Sequence, residues 1–321
     1  MTGRVAVIVV NYGTADLALQ AVESVLVRTH EAREVEVHLV DNASPGGDAD
    51  ALREAHDARG WGERVTLWLE TENHGFGRGN NVVLEALAAR EEPPEFVLLL
   101  NPDAWLENEG IALLAAALDQ NPDAGAAGAA IRGPDGVLQP SAFRFPSAGS
   151  EVLRIVNFGP LDRLFGHEGR VLPPSEVTRR VDWVSGAAVM LRLRALDEVG
   201  VFDPAFFLYY EEVELMHRLA KAGWGTLHVP DAIVGHAEGA ATGGGGRRPD
   251  QPGYVYDSWR QYHLRTLGRG CTVILASLQI PAGLLNILLC RLRGRASTLP
   301  NLFFRNQWSH VLRPLLTGGR T

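Results

Sequence analysis

Short apolar runs recur along the first 130 residues, separated by stretches with helical spacing. Residues 5–10 (VAVIVV), 35–40 (VEVHLV), 65–70 (VTLWLE) and 95–100 (EFVLLL) read as strands, and 124–131 as a further short one. The first run is continuously apolar and β-branched, which suits a parallel strand covered on both faces. Between the strands, residues 15–27 (ADLALQAVESVLV), 48–59, 79–90 and 109–119 carry helical patterns. This alternation predicts an α/β fold: a doubly wound, mostly parallel sheet with right-handed crossovers. Ligands of such sheets bind at the carboxyl ends of the strands. That rule selects Asn11 and Tyr12, Asp41 and Asn42, Asn73 onward, and Asn101 to Asp103.

The second half is less regular. Residues 133–180 are rich in Pro, Gly and Arg and read as a loop-rich insertion, and 181–193 (VDWVSGAAVMLRL) as a strand broken at Ser185-Gly186. Residues 211–222 read as a helix whose acidic start suits the positive end of its dipole. The run TGGGGRRP at 242–249 cannot be regular structure and marks a loop or boundary. Two domains are therefore expected, 1–245 and a helical extension at 246–321. Residues 271–290 contain no charge, a length that can span a bilayer. Gln279, Pro281 and Asn286 lie inside the run and arginines flank it. An interfacial or packed helix, broken near Pro281, is therefore expected rather than a span. A buried helical pair or a dimer surface is the equal alternative.

Composition narrows the classes. Of 321 residues, 46% are hydrophobic and 21% charged, the profile of a folded globular chain. Two cysteines, Cys271 and Cys290, exclude a disulfide framework and fit a reducing compartment. Arg4 leads directly into the first strand with no cleavage-site pattern, so a cytoplasmic protein is expected. The net charge of −8 is unevenly spread: from Arg247 onward there are eleven arginines and two acids, a formal +9, which leaves −17 for the rest. Such a tail suits an anionic partner, a membrane surface or nucleic acid. No nucleic-acid-binding module is recognisable, so a nucleic-acid partner is not expected.

Five segments carry candidate chemistry. Asn101-Pro102-Asp103 ends a buried strand, where a carboxylate can hold a hard divalent cation against a diphosphate, or simply form a turn. Asp41-Asn42-Ala43-Ser44 can accept the imide N–H of uracil or thymine and reach the ribose, or cap a helix through Asn42 or Ser44. In Asn73-His-Gly75-Phe-Gly77-Arg-Gly79-Asn80-Asn81, glycines admit close ligand approach at a helix start. Their alternate spacing is not the dinucleotide-binding fingerprint. Tyr209-Tyr210-Glu211-Glu212 places acids at a helix start behind an aromatic run, as a general base or as a solvated first turn. His236 follows an apolar run and can supply an imidazole ligand, or be structural.

In this order the segments VVNYGT (9–14), VDNAS (40–44), ENHGFGRGNN (72–81), LLLNPDAWL (98–106), WVSGAAVMLR (183–192) and VGVFDPAFFLYYEEVELMHR (199–218) resemble family 2 glycosyltransferases of the GT-A fold, in their rhamnosyltransferase-like branch. The resemblance spans roughly residues 5–240. It implies an inverting hexosyltransferase acting with Mg²⁺ or Mn²⁺ on a dTDP- or UDP-sugar, with dTDP-L-rhamnose as the expected donor. Asp103 matches the last acid of the family's D-x-D motif, Asn101 stands at its first position, and His236 matches a late metal-binding His. Asp41 matches the base-recognising acid. Glu211-Glu212 stand where the family has Glu-Asp, with Glu212 at the general base. The donor site then comprises Asn11, Tyr12, Asp41, Asn42, Asn73, Gly75, Gly79, Asn80, Asn101 and Asp103. Trp183, Ser185, Gly186 and Tyr210 fall to the acceptor and sugar pocket. The acceptor would be a lipid-linked glycan, with the enzyme on the inner membrane face, or a small aglycone, with the tail as a homodimer contact. A non-catalytic binding scaffold is the reading from another class. A sugar nucleotidylyltransferase would need a glycine-rich, Arg-containing loop where Asn11-Tyr12-Gly13-Thr14 stands.

Overall fold

The computed structural model describes residues 3–164, 170–237 and 251–318. The glycine run at 242–249, and with it the expected boundary at 245/246, lies outside these residues. By internal contacts the chain forms two compact units. One comprises Met1–Phe143, Pro173–Pro204 and Glu212–Gly245; the other comprises Arg144–Leu172, Ala205–Glu211 and Gly246–Thr321. Segments 144–172 and 205–211 group with the C-terminal portion.

The first unit is built on β1 (Val5–Asn11), α1 (Ala15–Leu26), β2 (Val35–Asp41), α2 (Asp48–Ala58), β3 (Val65–Leu69), α3 (Gly75–Ala88), β4 (Phe96–Leu100), β5 (Ala104–Leu106), α4 (Gly110–Gln120) and β6 (Ala124–Arg132). β7 (Leu138–Gln139) and β8 (Ala142–Phe143) follow. After α5 (Ala148–Val156) and α6 (Gly159–Leu164) of the second unit, the first resumes with β9 (Arg179–Val181), β10 (Trp183–Val184), β11 (Ala188–Arg192), α7 (Leu193–Val199), α8 (Glu211–Lys221) and β12 (Gly225–His236). The sheet order is β3-β2-β1-β4-β11-β6-β12-β5. β1 to β4 are parallel, as the alternation predicts. β11 runs antiparallel between β4 and β6, β12 parallel to β6, and β5 antiparallel to β12. The sheet is therefore mixed on one side and mostly parallel on the other. All seven residues of β1 are buried, and burial of each Val or Ile is worth roughly 1.5–3 kcal/mol.

Local expectations are refined in three places. Helix α3 begins at Gly75, four residues before the expected 79, because the alternate glycines form its first turn and leave the apolar pattern to start later. Helix α2 is capped by Gly47, so Asn42 and Ser44 are not its caps. The supposed loop-rich stretch 133–180 contains α5 and α6; Ser147 and Ser150 close a capping box at the start of α5. The strand break at Ser185-Gly186 is present: β10 pairs with β8 in a separate ribbon while β11 enters the main sheet.

The second unit is dominated by α9 (Gly253–Leu292), followed by α10 (Phe303–Asn306), a π-helical run Gln307–Leu312 and α11 (Arg313–Thr317). The break in α9 is not at Pro281. It lies at Gly268, whose φ of 76° and ψ of 166° are non-helical, and the helix runs on through Pro281. Glycine relieves backbone strain there, while a proline costs one hydrogen bond that a packed helix can lose.

Candidate active site

The carboxyl ends of β1, β2 and β4 gather the first group of polar residues. Asn11 is fully buried. Its Nδ2 lies 3.0 Å from Asp41 Oδ1, 3.1 Å from Ser44 Oγ and 3.0 Å from Asp48 Oδ2, so three acceptors share two protons. Its Oδ1 accepts from the Thr14 N–H and hydroxyl. Asn11 thus orients Asp41, whose Oδ2 accepts from Ser44 N–H. Each Asp41 oxygen already holds one hydrogen bond and keeps lone-pair capacity for another donor. Tyr12 is exposed beside them.

Asn42 ties β2 to the third segment. Its Nδ2 donates to Gly75 O (3.0 Å) and to Asn73 Oδ1 (3.2 Å), and its Oδ1 accepts from His74 N–H. Asn73 Oδ1 also accepts from Gly75 N–H at 2.8 Å. A Cβ on Gly79 would lie 3.0 Å from Val10 Cγ1 and 3.3 Å from Asn42 Nδ2, so this glycine permits the close approach of α3 to β1. Asn80 is buried and donates back to Phe76 O within its own helix.

The register of β12 against β5 sets His236 opposite Ala104. Asp103 Oδ1 and His236 Nε2 are 3.1 Å apart, and Ala237 N–H donates to Asp103 O. Asp103 is buried and His236 partly so. Trp105 packs directly over Gly235, where a Cβ would collide with its indole ring. The two side chains combine a hard carboxylate oxygen with an imidazole nitrogen, a donor pair that can hold a divalent cation. Among the described residues no third His, Cys, Asp or Glu joins them. A cation held here would take its other ligands from water and from the phosphates of a substrate.

Asn101 leads from the same strand end to the break after β10. Its N–H donates to Ala187 O at 2.9 Å. One residue earlier, a Cβ on Gly186 would stand 3.7 Å from Glu212 Cγ. Gly186 therefore presents bare backbone to the Glu212 side chain. Ser185 N–H donates to Ser141 O, and its Oγ accepts from Ala187 N–H. Trp183 stacks on Phe143 with centroids 4.1 Å apart. Glu212 Oε2 is buried without a hydrogen-bond partner among the described residues. Burial raises its pKa above the ordinary carboxylate value, against backbone N–H groups of Glu212 and Val213 that lower it. A carboxylate so tuned is a stronger base near neutrality.

Arg218 and Asn81 hold this part in place, a role that the sequence alone does not assign to either. Arg218 Nε bonds both Glu214 oxygens at 2.9 Å, and its other nitrogens reach the carbonyls of Val199, Gly200 and Val201. Asn81 exchanges two hydrogen bonds with the Phe202 backbone. Helical spacing of Glu214 and Arg218 was the available signal, but their carbonyl partners are known only from the fold.

Tyr210 and Glu211 belong to the second unit. Tyr209 and Tyr210 both adopt φ of 69°, a left-handed conformation rare for non-glycine residues. Burial and the charge of Glu151 push the Tyr210 hydroxyl up to about 12. Glu151 itself is fully buried. It accepts from Trp259 Nε1 (2.8 Å) and Arg170 Nη1 (2.7 Å) and pairs with Arg154. Burial alone would raise its pKa; the charges of Arg154, Arg170 and His263 outweigh that and bring it to about 2. Glu211 is buried at the start of α8.

The family described as glycosyltransferase like family 2 matches residues 3–245. The N-acetylglucosaminyl-diphospho-decaprenol L-rhamnosyltransferase of Mycobacterium tuberculosis is 33% identical over 252 residues, 76% of this chain and 79% of that relative. Rhamnosyltransferase WbbL of Escherichia coli K12 is 25% identical over 162 residues, 49% of this chain and 58% of WbbL. Among solved structures, GalNAc-T7 with UDP, GalNAc and Mn²⁺ has a TM-score of 0.60 at 14% identity, covering 98% of this chain and 56% of its own. The mannosyltransferase PcManGT of Pyrobaculum calidifontis, with GDP-Man and Mn²⁺, has a TM-score of 0.57 at 16% identity, covering 98% and 86%. These structures show the GT-A fold. The chain belongs to the family 2 glycosyltransferases. It is a hexosyltransferase and a homologue of rhamnosyltransferases, and the scaffold and nucleotidylyltransferase readings give way to this.

Proposed function

We propose that the enzyme transfers L-rhamnose, with inversion, from dTDP-L-rhamnose to a hydroxyl of a lipid-linked glycan. The observation that carries this reading is the pairing of Asp103 with His236 at 3.1 Å, on the same strand end that leads through Asn101 and Ala187 to Gly186 and Glu212. The activity of the mycobacterial relative supports rhamnose as the sugar and a lipid diphosphate as the acceptor anchor.

Asp41 would accept the imide N–H of thymine, held in orientation by Asn11. Asn42, Asn73 and the start of α3 at Gly75 frame the nucleotide, with Tyr12 beside the base and Gly79 and Asn80 shaping the helix behind it. Asp103 and His236 would hold Mg²⁺ or Mn²⁺, which supplies neutralising charge to a departing diphosphate. Glu212 removes the proton of the acceptor hydroxyl. That oxygen forms its bond to the anomeric carbon on the face opposite the diphosphate, and the bond from that carbon to the phosphate oxygen breaks. Glu212 keeps the proton and dTDP carries away the electron pair. Trp183, Ser185 and Gly186 would border the sugar and acceptor. Burial raises the Glu212 pKa, which strengthens the carboxylate as a base.

Calorimetric titration with dTDP, UDP and GDP, with and without Mn²⁺, tests the donor site. Metal-dependent binding that favours dTDP is the expected result. Equal binding of GDP, or none of the three, would overturn the assignment.

A further inference from the structure

The segment of α9 beyond Gly268 carries an apolar stripe on its outward face. It runs for roughly 36 Å at 1.5 Å per residue. Its inward face buries Leu275, Ala276 and Ala282 in an apolar cluster together with three polar side chains, Thr272, Gln279 and Asn286. Asn286 Nδ2 donates to Val156 O and to Thr298 Oγ1, and Gln307 Nε2 donates to Gln279 Oε1 at 2.8 Å. Its outward face carries Ile274, Leu278, Leu284, Leu285, Leu288 and Leu292, between 37% and 75% exposed. Ser277 interrupts this face, but its hydroxyl is satisfied by Val273 O of the same helix. In water a helix turns its polar stripe outward; here the outward stripe is apolar. Such a stripe is stable when the surrounding solvent is apolar.

Charge says which apolar solvent. Arg291 and Arg295 flank the end of the apolar face, and Arg305 and Arg313 are exposed on the elements that follow. Trp308, 56% exposed, adds the amphipathic ring favoured at a membrane–water boundary. The segment from Arg247 onward carries a formal +9. A second copy would bring two such tails together, whereas an anionic lipid surface complements them. By length and composition this helix can also cross a bilayer. A crossing would drag its hydrogen-bonded partners around Val156, Thr298 and Gln307 into hydrocarbon, at the cost of exposed polar groups there.

We propose that the outward face of residues 274–292, with the arginines around it, docks the enzyme flat on an anionic lipid surface. The inference does not depend on the identity of the donor. The test is flotation of the full-length protein with vesicles. One set mixes phosphatidylglycerol with phosphatidylcholine and the other is pure phosphatidylcholine. Binding to the anionic vesicles that weakens as salt is raised is expected, with little binding to the neutral ones. Leu278→Glu/Leu285→Glu/Leu288→Glu should weaken that binding by about a hundredfold or more, with dTDP binding and circular dichroism unchanged. Arg291→Gln, Arg295→Gln and Arg305→Gln should each weaken it about fivefold. Three outcomes would overturn the proposal: no flotation at low salt, equal flotation with neutral vesicles, or a dimer in sedimentation equilibrium that the leucine substitutions dissociate. Failure of the nucleotide titration would leave this proposal standing, and failure of flotation would leave the donor site standing.

Discussion

Asp103 and His236 stand 3.1 Å apart across 133 residues of chain. The contact exists because β5 and β12 pair antiparallel with Ala104 opposite His236. His236→Ala and Asp103→Asn should each weaken Mn²⁺-dependent nucleotide binding by roughly 10–100-fold, the scale seen when metal-site groups are lost. Chelation should abolish the same component. Titration calorimetry with and without Mn²⁺ measures both.

Gly235 supports that pair without touching a ligand. Any side chain there meets the Trp105 ring, so Gly235→Ala must displace that ring or the ladder that presents His236. We expect loss of metal-dependent binding comparable to His236→Ala and a stability loss of about 1–3 kcal/mol. Gly235→Ala combined with Trp105→Leu should recover much of both, which denaturant unfolding and calorimetry can follow.

Glu212→Gln should lower kcat by about 10²–10⁴-fold with nucleotide binding retained. The base works deprotonated and burial raises its pKa, so activity is lost as pH falls through a value above the ordinary 4.5. A pH profile of kcat/KM that stays flat down to 4.5 would contradict the assignment.

Acid should destabilise the fold through Glu151 and His263. Burial holds His263 down to about 4 from 6.5, against the pull of the Glu151 charge. Below 6.5 the unfolded chain takes up a proton that the folded one resists, so stability falls as pH drops from 6.5 toward 4. Glu151, held at about 2, contributes stability that is complete above 4.5 and lost as pH falls toward 2. Neither ring nitrogen of His263 has a hydrogen-bond partner among the described residues. His263→Phe should therefore flatten the slope of thermal stability between pH 4 and 6.5 and move the lower limb, set by Glu151, to higher pH, because one of the charges that hold Glu151 down is gone. Scanning calorimetry across pH separates the two.

The strand–helix alternation of the first 130 residues was readable because each element declares itself within a few residues. The apolar run at 5–10 has no polar face to misplace, and the residues that follow such runs fall at strand ends by topology alone. Helix α3 was read four residues short because Gly75 to Gly79 have no apolar pattern, though they form its first turn. Helices α5 and α6 were missed for a related reason: their proline- and arginine-rich neighbourhood masks a short amphipathic signal that packing against α9 stabilises. Asp41, Asp103 and Glu212 were legible as candidates from their places in motifs. The engagement of Asn11 with Asp41, and of Arg218 with three carbonyls, was not, because hydrogen-bond partners distant in sequence leave no local trace.

By itself the sequence determined the α/β class, the family and the carboxylates at the strand ends. All three follow from local periodicity and short motifs. Only the tertiary structure decided that His236 meets Asp103, that Gly186 lies against Glu212, that α9 breaks at Gly268, and that the leucines of its second half face outward. Periodicity tells which residues share a face of a helix; strand register and packing partners decide what that face meets.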